Sequence, residues 1–146
     1  MNFYLKFTTI FLLLVYPGTF VSSQTLDIKI TNIQNHKGQL CIAVFDSQKG
    51  FFQEKVYWDT CICKKNRGNY EAHILIPIKS GRYGLSILDD ENGSRKMEYN
   101  FLGIPCEGFG FSNYYQKGIR KPTFDDFSFY VEKNETKVLQ VDMKYF

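Results

Sequence analysis

Asp90, Asn92, Ser94 and Glu98 stand at relative positions one, three, five and nine of a short stretch, and the backbone carbonyl of Lys96 falls at position seven. Oxygen ligands at those intervals are how a calcium loop wraps a hard cation. Position twelve, where an EF-hand supplies a bidentate glutamate, is Phe101, so the strongest ligand of that pattern is missing. Glu107 is near enough in sequence to swing in, and Asp89 adds a further carboxylate. The competing use of the same residues is a hydrogen-bonded acidic turn, in which Asp and Asn side chains accept from their own backbone.

A second group follows at once, Gly103-Ile104-Pro105-Cys106-Glu107-Gly108-Phe109-Gly110-Phe111-Ser112-Asn113. Glycines alternating with aromatics let the backbone approach a ligand while the rings offer a stacking face. The stretch does not satisfy the phosphate-cradle pattern G-x-G-x-x-G, because Gly108-x-Gly110 is followed by Ser112 and Asn113. Its bland alternative is an ordered loop whose rings make a small core of their own. The candidate ligand-binding residues are Asp89, Asp90, Asn92, Glu107, Phe109, Phe111 and Asn113.

Signals for catalysis are weaker. His36 and His73 are far apart in sequence, and neither G-x-S-x-G nor H-E-x-x-H accompanies them. Asp89, Asp90, Glu91, Glu98 and Glu107 could supply a carboxylate pair for glycoside chemistry, which demands a separation in space that spacing along the chain does not give. No catalytic residue is assigned.

The elements that must position these groups read as strands. Thr25–Asn32 alternates, with Leu26, Ile28 and Ile30 on one face, as a half-buried strand does. Gln39–Asp46 is apolar on both faces and belongs in the middle of a packed sheet. Gly50-Phe51-Phe52 reads as a loop tucked over the end of the core. Val56–Cys63, Tyr70–Ile78 and Arg82–Leu88 follow at short spacing, with turns at Asn66-Arg67-Gly68-Asn69 and Ser80-Gly81. Phe127–Glu132 and Lys137–Tyr145 close the chain around a hairpin tip at Lys133-Asn134-Glu135, the last strand placing Leu139, Val141, Met143 and Tyr145 inward. No convincing helix of three turns occurs outside the N-terminal leader. About seven short strands imply an all-β, antiparallel sandwich of Ig-like or prealbumin-like type with one long ordered loop, Asp89–Asn113.

Met1–Ser23 reads as an export signal, with Lys6 before the apolar Phe7–Val15, a break at Pro17-Gly18 and a small-residue site at Val21-Ser22-Ser23. The apolar run falls short of the ~20 residues of a spanning helix, so no stable membrane anchor is expected once the signal is cleaved. Residues 24–146 are then one domain, secreted or periplasmic. Without Lys6 the net charge drops from +3 to +2, too small a balance for a nucleic-acid footprint. The densest basic cluster, Lys64-Lys65-Asn66-Arg67, reads as a solvated hairpin tip. Asn92-Gly93-Ser94 and Asn134-Glu135-Thr136 fit the N-glycosylation pattern.

An even number of cysteines, Cys41, Cys61, Cys63 and Cys106, reads as disulfides in an exported chain. Cys61 and Cys63 share one face of a strand, so each is expected to reach a different partner, Cys41 or Cys106. The C-x-C spacing and two distant histidines do not match a zinc site.

Several of these residues carry a resemblance. Gly81-Arg82-Tyr83-Gly84, Asp90-Glu91-Asn92, Asn100, Gly103, Pro105, Glu107, Gly110-Phe111-Ser112-Asn113 and Pro122-Thr123-Phe124-Asp125-Asp126 resemble the pattern of a secreted, mostly bacterial family, domain of unknown function 2141. The strand at Tyr83-Gly84-Leu85-Ser86-Ile87 is also similar to one in prealbumin-like sandwich modules. The resemblance implies Asp, Asn, Asn and Asp at the four oxygen-ligand places, and glycine at position six. Here Arg95 takes the glycine's place and Glu98 the last aspartate's, and Asp89 stands where the family usually has histidine. Two departures in a site already lacking its bidentate ligand imply absent or weak calcium binding. No other cofactor is expected.

The family has no established activity. The reading is therefore a non-enzymatic binding or structural module that presents Asp89–Asn113 to an extracellular glycan, peptide or protein. The alternative is a small extracellular hydrolase using the loop carboxylates.

Overall fold

A computed structural model describes residues 24–64 and 71–146; the leader, the turn at 66–69 and the first residue of the strand expected from Tyr70 lie outside the described residues. The described residues contain eight strands and two single-turn helices: β1 (Gln24–Thr31), β2 (Gln39–Phe45), α1 (Gln48–Phe52), β3 (Trp58–Cys63), β4 (Ala72–Ile78), β5 (Gly81–Asp90), β6 (Gly108–Phe111), α2 (Phe124–Phe127), β7 (Ser128–Val131) and β8 (Thr136–Asp142). They form the all-β sandwich that the alternating apolar pattern implies. One sheet has the order β4-β1-β8; the other runs β3-β2-β5-β6, with β7 pairing alongside β5.

Between the sheets lies one apolar core. Leu26, Ile28 and Ile30 of β1 meet Leu40, Ile42 and Val44 of β2 and Leu85 and Ile87 of β5, with Leu139, Val141 and Met143 closing it from the C-terminal end. Every second residue contributes, as the pleat requires. The β2 strand is apolar on its other face for a different reason. There Ala43 and Phe45 face a second, aromatic core of Phe51, Phe111, Phe124 and Phe127, supplied by α1, α2 and β6. Gly84 permits this layer, since a Cβ there would sit 2.5 Å from the Phe127 ring.

Four expectations need correction. The aromatics at Phe51-Phe52 belong to α1, capped by Ser47, whose Oγ accepts from Gly50 N at 3.2 Å; Phe51 is buried and Phe52 is not. The turn before β8 joins the two sheets and is not a hairpin tip within one, because β7 pairs with β5 while β8 pairs with β1. Both strands face the same core from opposite sides, and β8 arrives parallel to β1, the one parallel pair among the described residues. Gly108–Phe111, read as loop, is a strand antiparallel to β5.

The fourth correction concerns cysteine. Cys41 and Cys61 are directly cross-strand on β2 and β3, with Cα atoms 4.1 Å apart, and form a disulfide. Cys63 and Cys106 are free and exposed, so the second expected bridge is not made. Cys63 ends β3 and Cys106 precedes β6, with β2 and β5 between those strands. Three inter-strand spacings amount to roughly 14 Å, twice what a disulfide spans.

Candidate functional site

The irregular loop leaves the sheet at the end of β5, where a one-residue step decides the fate of two aspartates. Asp89 pairs with Leu40 and turns inward, where it is 0% exposed. There it accepts from the Lys64 ammonium, itself 2% exposed, and from the Tyr145 hydroxyl at 2.6 Å. Lys64 also donates to Asn35 Oδ1 at 3.1 Å, and Tyr145 accepts from Gln34 N at 3.2 Å. Burial, then the bond to Asp89, pushes the Tyr145 hydroxyl well above its ordinary pKa. Tyr145 reaches this point because Gly108 lacks a side chain; a Cβ there would lie 2.1 Å from the ring. The expectation of a solvated Lys64 is thus overturned. A buried carboxylate needs a paired and hydrogen-bonded partner, and Lys64, just past β3, supplies it.

Asp90 points to the other face and organises the turn that follows. Its Oδ1 accepts from Gly93 N at 2.8 Å and Ser94 N at 3.0 Å; its Oδ2 accepts from Arg95 N at 3.1 Å and from the Gln39 amide at 2.7 Å. Burial pushes this carboxyl up, but the Gln39 amide and the N–H groups of Arg95, Gly93 and Ser94 outweigh it and hold the group below the usual range. Asn92 Oδ1 accepts from Ser94 N at 2.8 Å, while its amide donates to Glu98 at 3.1 Å. Ser94 Oγ donates to the Lys96 carbonyl at 3.1 Å. The oxygens at the calcium-type positions therefore face their own turn. Arg95 adopts φ 59°, the left-handed conformation for which glycine is suited.

Glu107 lies across from Asp90 and accepts from Glu91 N at 3.2 Å through Oε1, while its shielded Oε2 finds no partner among the described residues. Burial first, then the charges of Asp90, Glu98 and Asp89, raise its pKa; its hydrogen bond from Glu91 works the other way.

Beyond the turn the chain forms a tip. Tyr99 and Pro105 bridge its base. Asn100 fills it: Oδ1 accepts from Leu102 N at 2.9 Å and Ile104 N at 3.0 Å, and its own N–H donates to the Ile104 carbonyl at 2.9 Å. Gly103 N donates back to the Asn100 carbonyl at 2.9 Å. This scaffold holds Phe101 95% exposed, Leu102 66% and Tyr99 60%.

The remaining candidates have structural surroundings. Phe111 packs with Phe51 and Phe127 in the aromatic core. Phe109 lies half-buried between Phe111 and Phe146, at centroid distances of 5.9 and 6.0 Å. Asn113 behaves as a strand partner, with N–H to Gln140 O at 2.8 Å and Oδ1 accepting from Gln140 N at 2.9 Å. His73 pairs with Asp27 on the outer face of the β4-β1-β8 sheet, away from the loop. Reading by residue type missed Lys64, Tyr145, Phe101 and Leu102. Consecutive apolar residues inside a polar loop, Phe101-Leu102 before Gly103, were the available signal for the tip.

The family model for the uncharacterised bacterial proteins of DUF2141 matches residues 28–139. The chain belongs to that family. The match runs from β1 to β8 and takes in the whole Asp90–Asn113 region of this DUF2141 protein. No curated protein and no solved structure matches it significantly. Among the described residues of the DUF2141 chain, no helix is long and apolar enough to cross a membrane.

Proposed function

We propose that this DUF2141 chain is an exported, non-enzymatic binding module whose contact face is the loop between β5 and β6. The observation that carries the reading is the tip: Phe101 stands 95% exposed beside Leu102 on a scaffold braced by Asn100. Single exposed apolar residues are ordinary, but adjacent ones held out by a dedicated hydrogen-bond frame suggest a contact made with something else. Export is supported by the leader pattern of residues 1–23 and by the Cys41–Cys61 bridge, which persists in oxidising compartments.

A hydrolase draws on one observation, the raised pKa and partnerless Oε2 of Glu107. Its natural partners are committed, since Asp89 is paired with Lys64 and Asp90 holds the turn. A surface hollow of about 280 Å³ is lined by Asp46, Lys49, Gly50 and Tyr57 among others, at the opposite end of the same sheet.

The test compares wild type with a Phe101→Ser/Leu102→Ser variant of unchanged melting temperature on glycan arrays, peptide arrays and lipid vesicles. Binding by wild type to one of these classes, lost in the variant, is the expected result. Binding that the variant retains would overturn the reading. Turnover of a bound glycan or peptide, abolished by Glu107→Gln, would favour the hydrolase.

A further inference from the structure

Lys64 is a primary amine with almost no access to water. It is 2% exposed, and its ammonium donates to two side chains, Asp89 and Asn35, at Oδ1 of each. One of these is a base and the other an electrophile. A buried lysine beside a carboxylate alone is an ion pair. Set between a carboxylate and a carboxamide, it has the groups that form an amide bond.

The geometry serves that reaction. Asp89 is 0% exposed and is oriented by the Tyr145 hydroxyl, which donates to Oδ2 at 2.6 Å and leaves Oδ1 to the amine. Lys64 Nζ stands 3.1 Å from Asn35 Oδ1. A carbonyl bond of about 1.2 Å puts it no more than roughly 4.3 Å from Cγ, against about 3–3.5 Å for reacting atoms. Asn χ2 is a soft torsion, so a turn of the carboxamide presents Cγ to the amine. Lys37 N donates to Asn35 Oδ1 at 2.9 Å, where negative charge develops when Cγ is attacked, and Asn35 Nδ2 donates to Glu91 Oε1 at 2.5 Å. The nucleophile thus has a base, the developing oxyanion a donor, and the leaving nitrogen a carboxylate.

Asp89 is the poorer electrophile. An ionised carboxylate resists attack, and expelling water from it calls for a separate acid. Among the described residues its side chain hydrogen-bonds only Lys64 and Tyr145.

We propose that Lys64 and Asn35 join in an intramolecular isopeptide bond, formed by the folded chain's own residues. One ammonium proton passes to Asp89. The neutral Nζ attacks Asn35 Cγ, and the Nζ–Cγ bond forms as the carbonyl π pair moves to Oδ1. Glu91, bonded to Nδ2, relays a second Nζ proton to it once both nitrogens sit on one carbon. The Cγ–Nδ2 bond then breaks, the carbonyl re-forms, and ammonia leaves, taking up the proton held by Asp89 to depart as ammonium. Nothing is oxidised or reduced. The bond ties the segment between β1 and β2 to the residue after β3, across a sequence separation of 29. It encloses the Cys41–Cys61 bridge and, unlike that bridge, survives reductant. It is independent of what the β5–β6 loop binds. Variants at Lys64 and at Asp89 alike lack it, so stability differences among them still report the charge pair.

The experiment measures the intact mass of the purified, reduced and unfolded chain, followed by tryptic mapping. Wild type should fall short of its sequence mass by one ammonia. Cyclisation of an N-terminal Gln24 releases the same ammonia, so the deficit is placed by tandem spectra. These should show a branched peptide joining Asn35 to Lys64, with no tryptic cut after Lys64. Lys64→Met and Asn35→Ala should each abolish the branched peptide, and Asp89→Ala, which removes the base, should leave Lys64 and Asn35 unjoined. Asn35→Ala keeps the Lys64–Asp89 pair, so it tests the bond where Asp89→Ala fails to fold. Wild type without the branched peptide and cut after Lys64, or a water deficit placed on Asp89, overturns the proposal. A folded Asp89→Ala that still forms the bond overturns the role given to Asp89.

Discussion

Replacing Asp89 with alanine should be among the most damaging substitutions in this protein. Asp89 is 0% exposed and Lys64 2% exposed, with the carboxylate bonded to both Lys64 and Tyr145. Asp89→Ala leaves an ammonium buried with only Asn35 Oδ1 to accept from it, and leaves the Tyr145 hydroxyl without its acceptor. Breaking a buried pair from one side costs about 3–5 kcal/mol, because the remaining charge is uncompensated. Total stability for a chain of this size is of order 6–18 kcal/mol, so the loss is a large fraction of it. The melting temperature should fall by about 10–20 °C. The double change Asp89→Leu/Lys64→Met removes both charges and keeps apolar volume, and it should be much milder than either single change. Urea unfolding of wild type, Asp89→Leu, Lys64→Met and the double, closed as a cycle, measures the coupling directly. A loss below about 1 kcal/mol in Asp89→Ala, or a double variant as unstable as the sum of the singles, would refute the claim that the pair is buried and coupled.

Glu107 has the opposite linkage to a salt-bridged acid. Burial raises its folded-state pKa, so the unfolded chain releases the proton first and stability declines as pH climbs from the unfolded value through the raised folded one. Glu107→Gln should therefore be more stable than wild type at pH 7, with the advantage shrinking by pH 4; urea midpoints at the two values check it, and a constant difference would contradict it. Non-reducing peptide mapping should find Cys41 joined to Cys61 and alkylation of Cys63 and Cys106 in the native protein. Reduction of that bridge, with a sequence separation of 20, should cost about 3 kcal/mol by the loop-entropy account. Arg95→Gly should stabilise the turn by up to about 1–2 kcal/mol, the order of the left-handed penalty. Millimolar calcium should leave the melting temperature unchanged in wild type, since Asp90 and Asn92 already accept from the turn's own N–H groups; a clear rise over chelator would refute that reading.

Much of the framework was legible because alternation is a local property. Leu26, Ile28 and Ile30 repeat every second residue, and any pairing of that strand must bury the same face. The two-faced apolar character of β2 likewise required a central position, and its outer face is covered by rings from α1 and α2. The Asp-Asn turn was readable too, since its hydrogen bonds span only a few residues. What sequence could not decide are the outcomes set by pairing between distant segments. Asp89 and Asp90 are identical, adjacent and both buried, yet strand register sends one to a buried ammonium and the other to the N–H groups of the following turn. Lys64 lies beside basic neighbours in sequence, and only the approach of β5 gives it a buried partner. Cys63 and Cys106 remain apart because two strands lie between theirs. The rings of Phe101 and Phe111 look alike in a list of residues, but one stands in water and the other fills a core. Side-chain type and spacing determine what each segment can do alone; which segments meet depends on contacts far apart in the chain, which no local period encodes.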